Sequence, residues 1–385
     1  MNEATLDTVM EDDLIREAVR RFAEQEVAAV SASLWEEEGF PYGIWRAAGE
    51  LGFTGLPYPE AWGGGDGSWV SFVIVLEELA RVDCAIANSL MANSTVASLL
   101  NQYGTPEQKN AFLTPILGGE QVGAIGLSEP DAGSDAANIS TRARQHEGRW
   151  IIDGAKTFIS NSGTDVTGPV VIAAVTGQRP DGRKEISNFI VPAGTPGFSC
   201  GRKLTKIGWR ASSTCELSFA DCAIPAANLL GERGAGLRQT LAQISTGRIL
   251  IGALGLGILQ GSLDRSIAYM KERKAFGRPL ADFQALQFKV ADMATHAHAA
   301  RLMLYEAARR KDAGQPFATQ ASMAKLFATE KAMDAAHQAV QIHGGYGVIS
   351  EYPVARAFGD AKVLEIVEGT SEIQRMILAR ELLNA

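Results

Sequence analysis

Three long stretches with helical periodicity limit the folds open to this 385-residue chain more than any other feature. They cover residues 236–274, 283–312 and 317–343, and they follow one another with short breaks. Helices this long are unusual in a globular protein unless they pack against each other along their length. The pattern therefore predicts a four-helix bundle over residues 231–385.

The earlier parts of the chain follow two other patterns. Residues 7–117 show apolar residues at helical spacing, whereas residues 122–219 contain short β-branched runs separated by turn signals. One such signal, Glu147-Gly148, predicts a hairpin. A helical block, a strand block and a helical bundle in this order are an α+β arrangement. We expect an N-terminal helical domain over residues 1–120 and a middle antiparallel β-domain over residues 121–230.

The charge of the chain excludes some functions. A net charge of −8 argues against binding nucleic acid, because phosphate contacts need clustered Lys and Arg. The longest apolar run, residues 249–259, is well short of the roughly 20 residues that span a bilayer, so no membrane insertion is expected. Residues 1–4 do not resemble a signal peptide, and the cysteines lack C-x-x-C spacing. We expect a cytoplasmic protein.

A carboxylate near the carboxyl end has the features of a proton acceptor. Glu368 precedes a Gly-Thr-Ser break, and its neighbours Ile366 and Val367 are apolar. Apolar surroundings raise the pKa of a carboxyl group and favour work as a general base. The alternative is an ordinary helix start with Thr370 or Ser371 as the cap.

The string IVEGTSEIQR around Glu368 resembles the catalytic segment of acyl-CoA dehydrogenases. The resemblance extends over nearly the whole chain and implies the family's fold, its FAD cofactor and its reaction. In that reaction Glu368 removes the α-proton of an acyl-CoA thioester while hydride leaves the β-carbon for flavin N5, which gives the trans-2-enoyl-CoA. It also implies that Gly369 contacts the substrate and that Thr370 and Glu372 contact the cofactor.

Two further segments resemble the family's flavin-binding strands. The string LSEPDAGSD, together with a strand residue just before it, implies five cofactor contacts: Ile125, Leu127, Ser128, Gly133 and Ser134. Ser134 would also contact the substrate. The string GAKTFISN implies contacts from Phe158, Ile159 and Ser160. Composition alone leaves two alternatives open: an ordinary Asp-Gly-Ser turn, and a strand with one buried Phe.

Two loops resemble the segments that reach the cofactor of a neighbouring subunit in the family. The first loop follows the first long helix and implies contacts from Arg273, Phe276 and Gln284. The second implies contacts from Gln341, Ile342, His343, Gly344 and Gly345. Alternatively, these residues only end two helices, with His343 as a helix-end cation. The resemblance implies a homotetramer.

Some positions depart from the family pattern. Gly247 stands before Arg248 where some members carry the base, so the base belongs at Glu368. Arg248 would lie close to the substrate, while Ser245 replaces an acid and puts one substrate contact in question. Val367 replaces a frequent aromatic, which suggests room for a branched or bulky acyl group. Gly359 replaces a common Arg, so an ion pair is expected to be absent.

The resemblance also implies electron transfer to an electron-transferring flavoprotein. Other functions on this fold stay open: an acyl-CoA oxidase, a flavin monooxygenase, a dehydrogenase of carrier-protein-bound acyl groups, or a flavin-bound interaction module. Glu368 argues against the monooxygenase and the module. No metal site is expected, because His296 and His298 are two residues apart on a helix and face different directions.

Overall fold

The computed structural model describes residues 3–384 and begins with helices. Residues 1 and 2, part of the segment in which no signal peptide is expected, lie outside the described range. The helices of this first part are α1 (Glu3–Phe22), α2 (Ala28–Glu37), α3 (Tyr42–Glu50), α4 (Trp69–Val82), α5 (Cys84–Tyr103), α6 (Pro106–Gln108) and α7 (Thr114–Leu117). Helix α5 is buried along most of its length, and Asp83 caps it by accepting hydrogen bonds from Ala85 and Ile86.

The middle of the chain forms an eight-stranded sheet. Its strands are β1 (Val122–Gly126), β2 (Arg142–His146), β3 (Arg149–Ser160), β4 (Thr167–Gln178), β5 (Lys184–Pro192), β6 (Phe198–Lys203), β7 (Thr214–Pro225) and β8 (Leu229–Leu230). The strand order is β6-β7-β3-β2-β4-β5-β8, and β1 pairs with β4. The hairpin predicted at Glu147-Gly148 is confirmed, since both residues have the positive φ of a two-residue turn.

The predicted antiparallel character holds for most of the sheet, but two pairings with β4 are parallel. These are the pairing of β1 and the short pairing of β2. Parallel neighbours need a long crossover between them. The segment from residue 127 to residue 166 supplies it for β1, because β2 and β3 lie between β1 and β4 in the chain.

The last part of the chain is a helical bundle. Helices α8 (Gly236–Glu272), α9 (Gln284–Asp312) and α10 (Ala318–His343) contain 37, 29 and 26 residues. A small hairpin, β9 (Lys274–Ala275) and β10 (Arg278–Pro279), joins α8 to α9, and two shorter helices, α11 (Pro353–Leu364) and α12 (Ser371–Leu383), follow α10. Helix α4 also packs along α8, so the first part of the chain completes the bundle.

Helix α8 is the centre of this packing. Its glycines let neighbouring helices approach closely: a Cβ at Gly252, Gly255 or Gly257 would meet atoms of α9, α10 or α4. By length and composition α8 could cross a bilayer, but 78% of its most apolar window is buried within the protein. The apolar surface of α8 is therefore used for helix packing.

A backbone contact joins the sheet region to helix α11. Gly208 lies in the loop between β6 and β7, and a Cβ on it would collide with the backbone of Gly359. A Cβ on Gly359 would likewise collide with the carbonyl of Ile207. Next to this contact, the backbone N–H of Trp209 donates to Oδ1 of the buried Asp360 at 2.6 Å. The absence of a side chain at residue 359 is therefore a packing requirement.

These observations confirm the α+β fold class, with helices first, a sheet in the middle and a helical bundle last. The predicted domain limits at residues 120 and 230 fall between elements, next to β1 and β8. The exact limits stay a prediction.

Candidate active site

The side chain of Glu368 lies in a bend between α11 and α12 and points toward α8. Its backbone has a φ of 52°, a left-handed conformation that is uncommon for residues other than glycine. The carboxylate fills the space beside Gly247, where an added Cβ would lie 2.7 Å from Oε2. Oε2 is buried and has no hydrogen-bond partner among the described residues. Strain and an unpaired buried oxygen in one residue are typical of a functional site.

The surroundings of this carboxylate adjust its acidity. Burial raises the pKa of Glu368 to about 7, and the positive charges of Arg248 and Lys325 oppose the rise. This confirms the direction predicted from its apolar neighbours. Arg248 is itself buried, and its NH1 donates to the hydroxyl of Ser322 at 3.3 Å. A carboxyl group that titrates near neutral pH can accept a proton under those conditions.

Hydrogen bonds from two helices hold the bend in place. Nε2 of Gln374 donates to the carbonyls of Glu368 and Gly369 at 3.1 and 2.9 Å. Nζ of Lys325 donates to the same carbonyl of Gly369 at 3.0 Å. Thr370 caps α12 through the N–H of Ile373, which confirms the predicted helix start. The segment is thus a helix start, and its hydrogen bonds also fix the backbone that carries Glu368. Glu372, the other residue predicted here as a cofactor contact, is exposed in the first turn of α12.

The turn that follows β1 is anchored by a buried ion pair. Glu129 accepts hydrogen bonds from Nζ of Lys156 at 2.7 Å and from the N–H of Thr141 at 3.0 Å. Although burial opposes it, the hydrogen bonds from Lys156 and Thr141 lower the pKa of Glu129 to about 2. The anchor leaves Gly133 and Ser134 exposed at the tip of the turn, where a ligand can reach them.

A second exposed element lies beside this turn. The N–H of Thr157 donates to the carbonyl of Ser128 at 3.0 Å, which joins β3 to the turn. The next residue, Phe158, is 71% exposed and has a φ of 61°. The alternative of a strand with a buried Phe is therefore wrong. The remaining predicted residues of these two segments are buried or half-buried around the junction: Ile125, Leu127, Ile159 and Ser160.

Several predicted residues line a pocket at the end of α10. The pocket has a volume of about 550 Å³, and its lining includes Arg273, Ile342, His343, Gly344 and Gly345. The ring of His343 stacks on Tyr269 with centroids 4.2 Å apart. Burial lowers the pKa of His343, which argues against its interpretation as a helix-end cation.

Other predicted residues lie outside that pocket. Phe276 is 95% exposed at the tip of the β9–β10 hairpin, and Gln284 and Gln341 are exposed at a helix start and a helix end. Ser245 is half-buried in α8. Within residues 3–384, no group of three or more His, Cys, Asp or Glu residues is placed to hold a metal ion. The predicted residues thus fall into a bend, a strand-end turn, a pocket and an exposed hairpin.

The sequence interpretation missed the buried polar residues that fix the backbone segments carrying the predicted site residues. Lys325, Gln374 and the Glu129–Lys156 pair are buried and polar, and each fixes a backbone segment that carries predicted site residues. A signal existed for Lys325, because it interrupts a small-residue face of α10 that contains Ala321, Ser322, Ala324 and Ala328. No comparable signal marks Gln374.

Comparison with known proteins assigns the chain to a family. Three family profiles match in order: "Acyl-CoA dehydrogenase, N-terminal domain" over residues 10–120, the corresponding "middle domain" over residues 124–222, and the "C-terminal domain" over residues 234–383. The chain is 43% identical to the short-chain-specific acyl-CoA dehydrogenase of Clostridium acetobutylicum, over 96% of this chain and 97% of that protein.

Solved structures agree with this match. The butyryl-CoA dehydrogenase from Megasphaera elsdenii superposes with a TM-score of 0.93 at 38% identity, over 97% of this chain and 98% of that one. A chain in a structure described as the electron transferring flavoprotein of Acidaminococcus fermentans superposes with a TM-score of 0.94 at 39% identity, over 97% and 98%. This chain therefore belongs to the acyl-CoA dehydrogenase family, whose members are FAD-dependent oxidoreductases that dehydrogenate acyl-CoA thioesters.

Proposed function

We propose that Glu368 is the base that removes the α-proton of a short-chain acyl-CoA, and that the product is the trans-2-enoyl-CoA. The single observation that carries this assignment is the buried, unpaired Oε2 of Glu368 beside Gly247. An unpaired carboxylate oxygen can take up a proton without breaking an existing hydrogen bond. Its pKa of about 7 matches the working range of a general base at neutral pH.

Other groups of the chain would position the thioester. The α-proton of a thioester is weakly acidic, so its removal needs a hydrogen-bond donor at the thioester oxygen. The backbone N–H of Glu368 would serve as one donor, and Gly369 leaves the bend without a side chain at that point. Arg248 is buried close enough to affect the charge of Glu368, which supports a place beside the substrate. Ser134 and Ser245 are proposed as further substrate contacts.

The exposed residues of the sheet fit the ring of FAD. Phe158 presents an apolar face to solvent in a strained conformation, which a flat aromatic ligand would cover. Beside it, the strand-end turn offers Ser128, Gly133 and Ser134, together with Ile125, Leu127, Ile159 and Ser160. Thr370 and Glu372 belong to the same proposed set. Bound FAD supplies the oxidant that accepts hydride from the β-carbon of the substrate.

The pocket at the end of α10 fits the remainder of FAD in a different copy of the chain. It combines the Arg273 guanidinium with the bare backbone of Gly344 and Gly345, a chemistry suited to phosphate. We propose that Phe276, Gln284, Gln341, Ile342 and His343 contribute to this contact and that four copies form a homotetramer. An electron-transferring flavoprotein is the proposed acceptor of the electrons, and a cytoplasmic location stays part of the proposal.

The residue before the base bears on the acyl group. Val367 is half-buried and packs against the core, and its side chain is smaller than an aromatic one. We propose that this leaves room for a short acyl chain with a branch near the thioester. A panel of straight and branched acyl-CoA thioesters tests this idea, and a clear preference for straight chains would count against it.

Anaerobic reduction of the bound flavin tests the base assignment. The purified protein should be yellow and should bleach when a suitable acyl-CoA is added without oxygen. Glu368→Gln keeps the shape of the side chain but cannot accept the proton, so bleaching should be lost while the flavin stays bound. Rapid bleaching in this variant would remove Glu368 as the base. Hydrogen peroxide measured under air separates a dehydrogenase from an oxidase, and acyl-carrier-protein thioesters test the remaining alternative.

A further inference from the structure

Lys325 is a buried, positively charged residue that contacts the bend carrying Glu368. It lies on α10, its side chain is inaccessible to solvent, and its Nζ donates to the carbonyl of Gly369 at 3.0 Å. The residue one turn earlier on the same helix, Ser322, accepts a hydrogen bond from Arg248. One face of α10 therefore contacts both the bend that carries Glu368 and Arg248, the arginine whose charge acts on Glu368.

Charges from three elements surround this lysine. Burial lowers the pKa of Lys325 to about 8, and the carboxylates of Glu368 and Glu365 oppose that change. Arg248 on α8 acts in the same direction as burial, and Glu330 on α10 acts against it. Lys325 is thus mostly protonated at neutral pH. A buried ammonium in this place is unfavourable unless nearby negative charge compensates it.

We propose that Lys325 is a positioning residue for the reaction: it fixes the Gly369 carbonyl and keeps a positive charge near Glu368. The proposal rests on the assignment of Glu368 as the base. The hydrogen bond holds the bend in its left-handed conformation. The charge stabilises the ionised form of Glu368, so more of the protein has a base ready to accept a proton at neutral pH.

A neutral neighbour provides a matched control for the charge. Gln374 is also fully buried and also donates to the carbonyl of Gly369, at 2.9 Å. Gln374→Met therefore removes a hydrogen bond to the same oxygen, together with the one to the carbonyl of Glu368, without removing a charge. Lys325→Met removes both the hydrogen bond and the charge, whereas Lys325→Gln removes the charge and keeps a donor on a shorter side chain.

The experiment measures the titration of Glu368 directly in the FAD-loaded protein. Infrared spectra across the pH range follow the carboxyl band that disappears in Glu368→Gln, and this measurement needs folded protein but no turnover. In Lys325→Met and Lys325→Gln the midpoint should lie roughly one pH unit higher, as expected for loss of a nearby opposite charge. In Gln374→Met the midpoint should stay where it is in the unmodified protein.

Flavin reduction by acyl-CoA supplies the second measurement. With a midpoint raised from about 7 to about 8, the rate for both Lys325 variants should fall about fivefold more at pH 7 than at pH 9, on top of any loss from the missing hydrogen bond, which is the same at each pH. For Gln374→Met any loss should be the same at each pH. An unchanged infrared midpoint in both Lys325 variants would overturn the inference. Reduction that survives in Glu368→Gln would instead overturn the base assignment, so the two failures can be told apart.

Discussion

Residue 247 has no side chain, and the carboxylate of Glu368 occupies the space in which a side chain would lie. A methyl group there would be 2.7 Å from Oε2 and 3.0 Å from Cδ, so the carboxylate has to move. Gly247 sits on the buried helix α8, and Glu368 sits in a bend that hydrogen bonds from Gln374 and Lys325 hold in place, which leaves the carboxylate little room for small adjustments. The position of the proposed base is thus set by a missing side chain on α8.

Gly247→Ala is expected to slow flavin reduction by about 10- to 100-fold, because a displacement of about 1 Å at a reacting group has effects of that size. Stopped-flow measurement of the anaerobic reduction checks this, with flavin content as a test of folding. Gly43→Ala is the matched control, since an added Cβ at that helical glycine meets no atom within 4 Å. Equal rates for Gly247→Ala and the control would show that the carboxylate is not held there.

The raised pKa of Glu368 also has a consequence for stability. Because the pKa in the folded protein is about 7 and the ordinary value is 4.5, the folded protein binds more protons than the unfolded chain between these values. The contribution of Glu368 to stability therefore falls as the pH rises through this window. Glu368→Gln removes the penalty, so it should stabilise the FAD-loaded protein by about 1–3 kcal/mol at pH 8 and by much less at pH 5. Thermal unfolding at the two pH values measures the difference, and an equal effect at both would contradict it.

For individual residues, the sequence identified Glu368 as the candidate base but not the two residues that hold its bend in place. The apolar neighbours of Glu368 predicted the direction of its pKa shift, although Ile366 is 55% exposed and the carboxylate is buried against Gly247 of α8. Lys325 and Gln374 are 43 residues before and 6 residues after Glu368, at distances along the chain that carry no local pattern. Phe158 was expected as a cofactor contact, but its exposure depends on a left-handed backbone that no propensity predicts.

Among the elements, the turn after β1 depends on one buried ion pair. Removing one partner of such a pair leaves an uncompensated charge, which costs about 3–5 kcal/mol. Lys156→Met should therefore destabilise the protein by roughly that amount and weaken its hold on FAD, because the turn would lose its anchor. Unfolding measurements and a flavin-release assay test both effects.

The control for this variant is a pair on the protein surface. Lys331 on α10 contacts Asp334 at 2.9 Å, and both side chains are partly exposed. Exposed pairs contribute about 0–1 kcal/mol, so Lys331→Met should have little effect on stability or on FAD. If Lys156→Met behaved like Lys331→Met, the turn would be held by other contacts.

Element types were more predictable than their pairing. Turn signals and β-branched runs located most strands, and the long helical periods located α8, α9 and α10. The parallel pairing of β1 with β4 was missed, because it is decided by a crossover rather than by a local signal. A fourth helix of comparable length does not follow in the described chain: α11 and α12 contain 12 and 13 residues, and α4, which packs along α8, contains 14.

For the whole molecule, the exposed hairpin tip gives the assembly a specific test. A phenyl ring that is 95% exposed is unfavourable in water, and under the proposed assembly it meets another subunit. Phe276→Asp would place a charge in that contact. Light scattering should show species smaller than the tetramer of the unmodified protein, and flavin content should fall with the mass. A full-sized, fully yellow Phe276→Asp protein would exclude Phe276 from the contact.

The backbone contact between Gly208 and Gly359 affects how Glu368 is positioned relative to the sheet. Two bare backbones meet there, so no rotamer can adjust to absorb a shift between the sheet and α11. The bend that carries Glu368 follows α11 directly, and it is thereby tied to the same frame as Phe158 on β3. Under the proposed assignment, the alignment of the proton acceptor with the flavin ring is thus a property of main-chain geometry. A side chain at either glycine would force the two backbones apart and so shift the bend relative to the sheet.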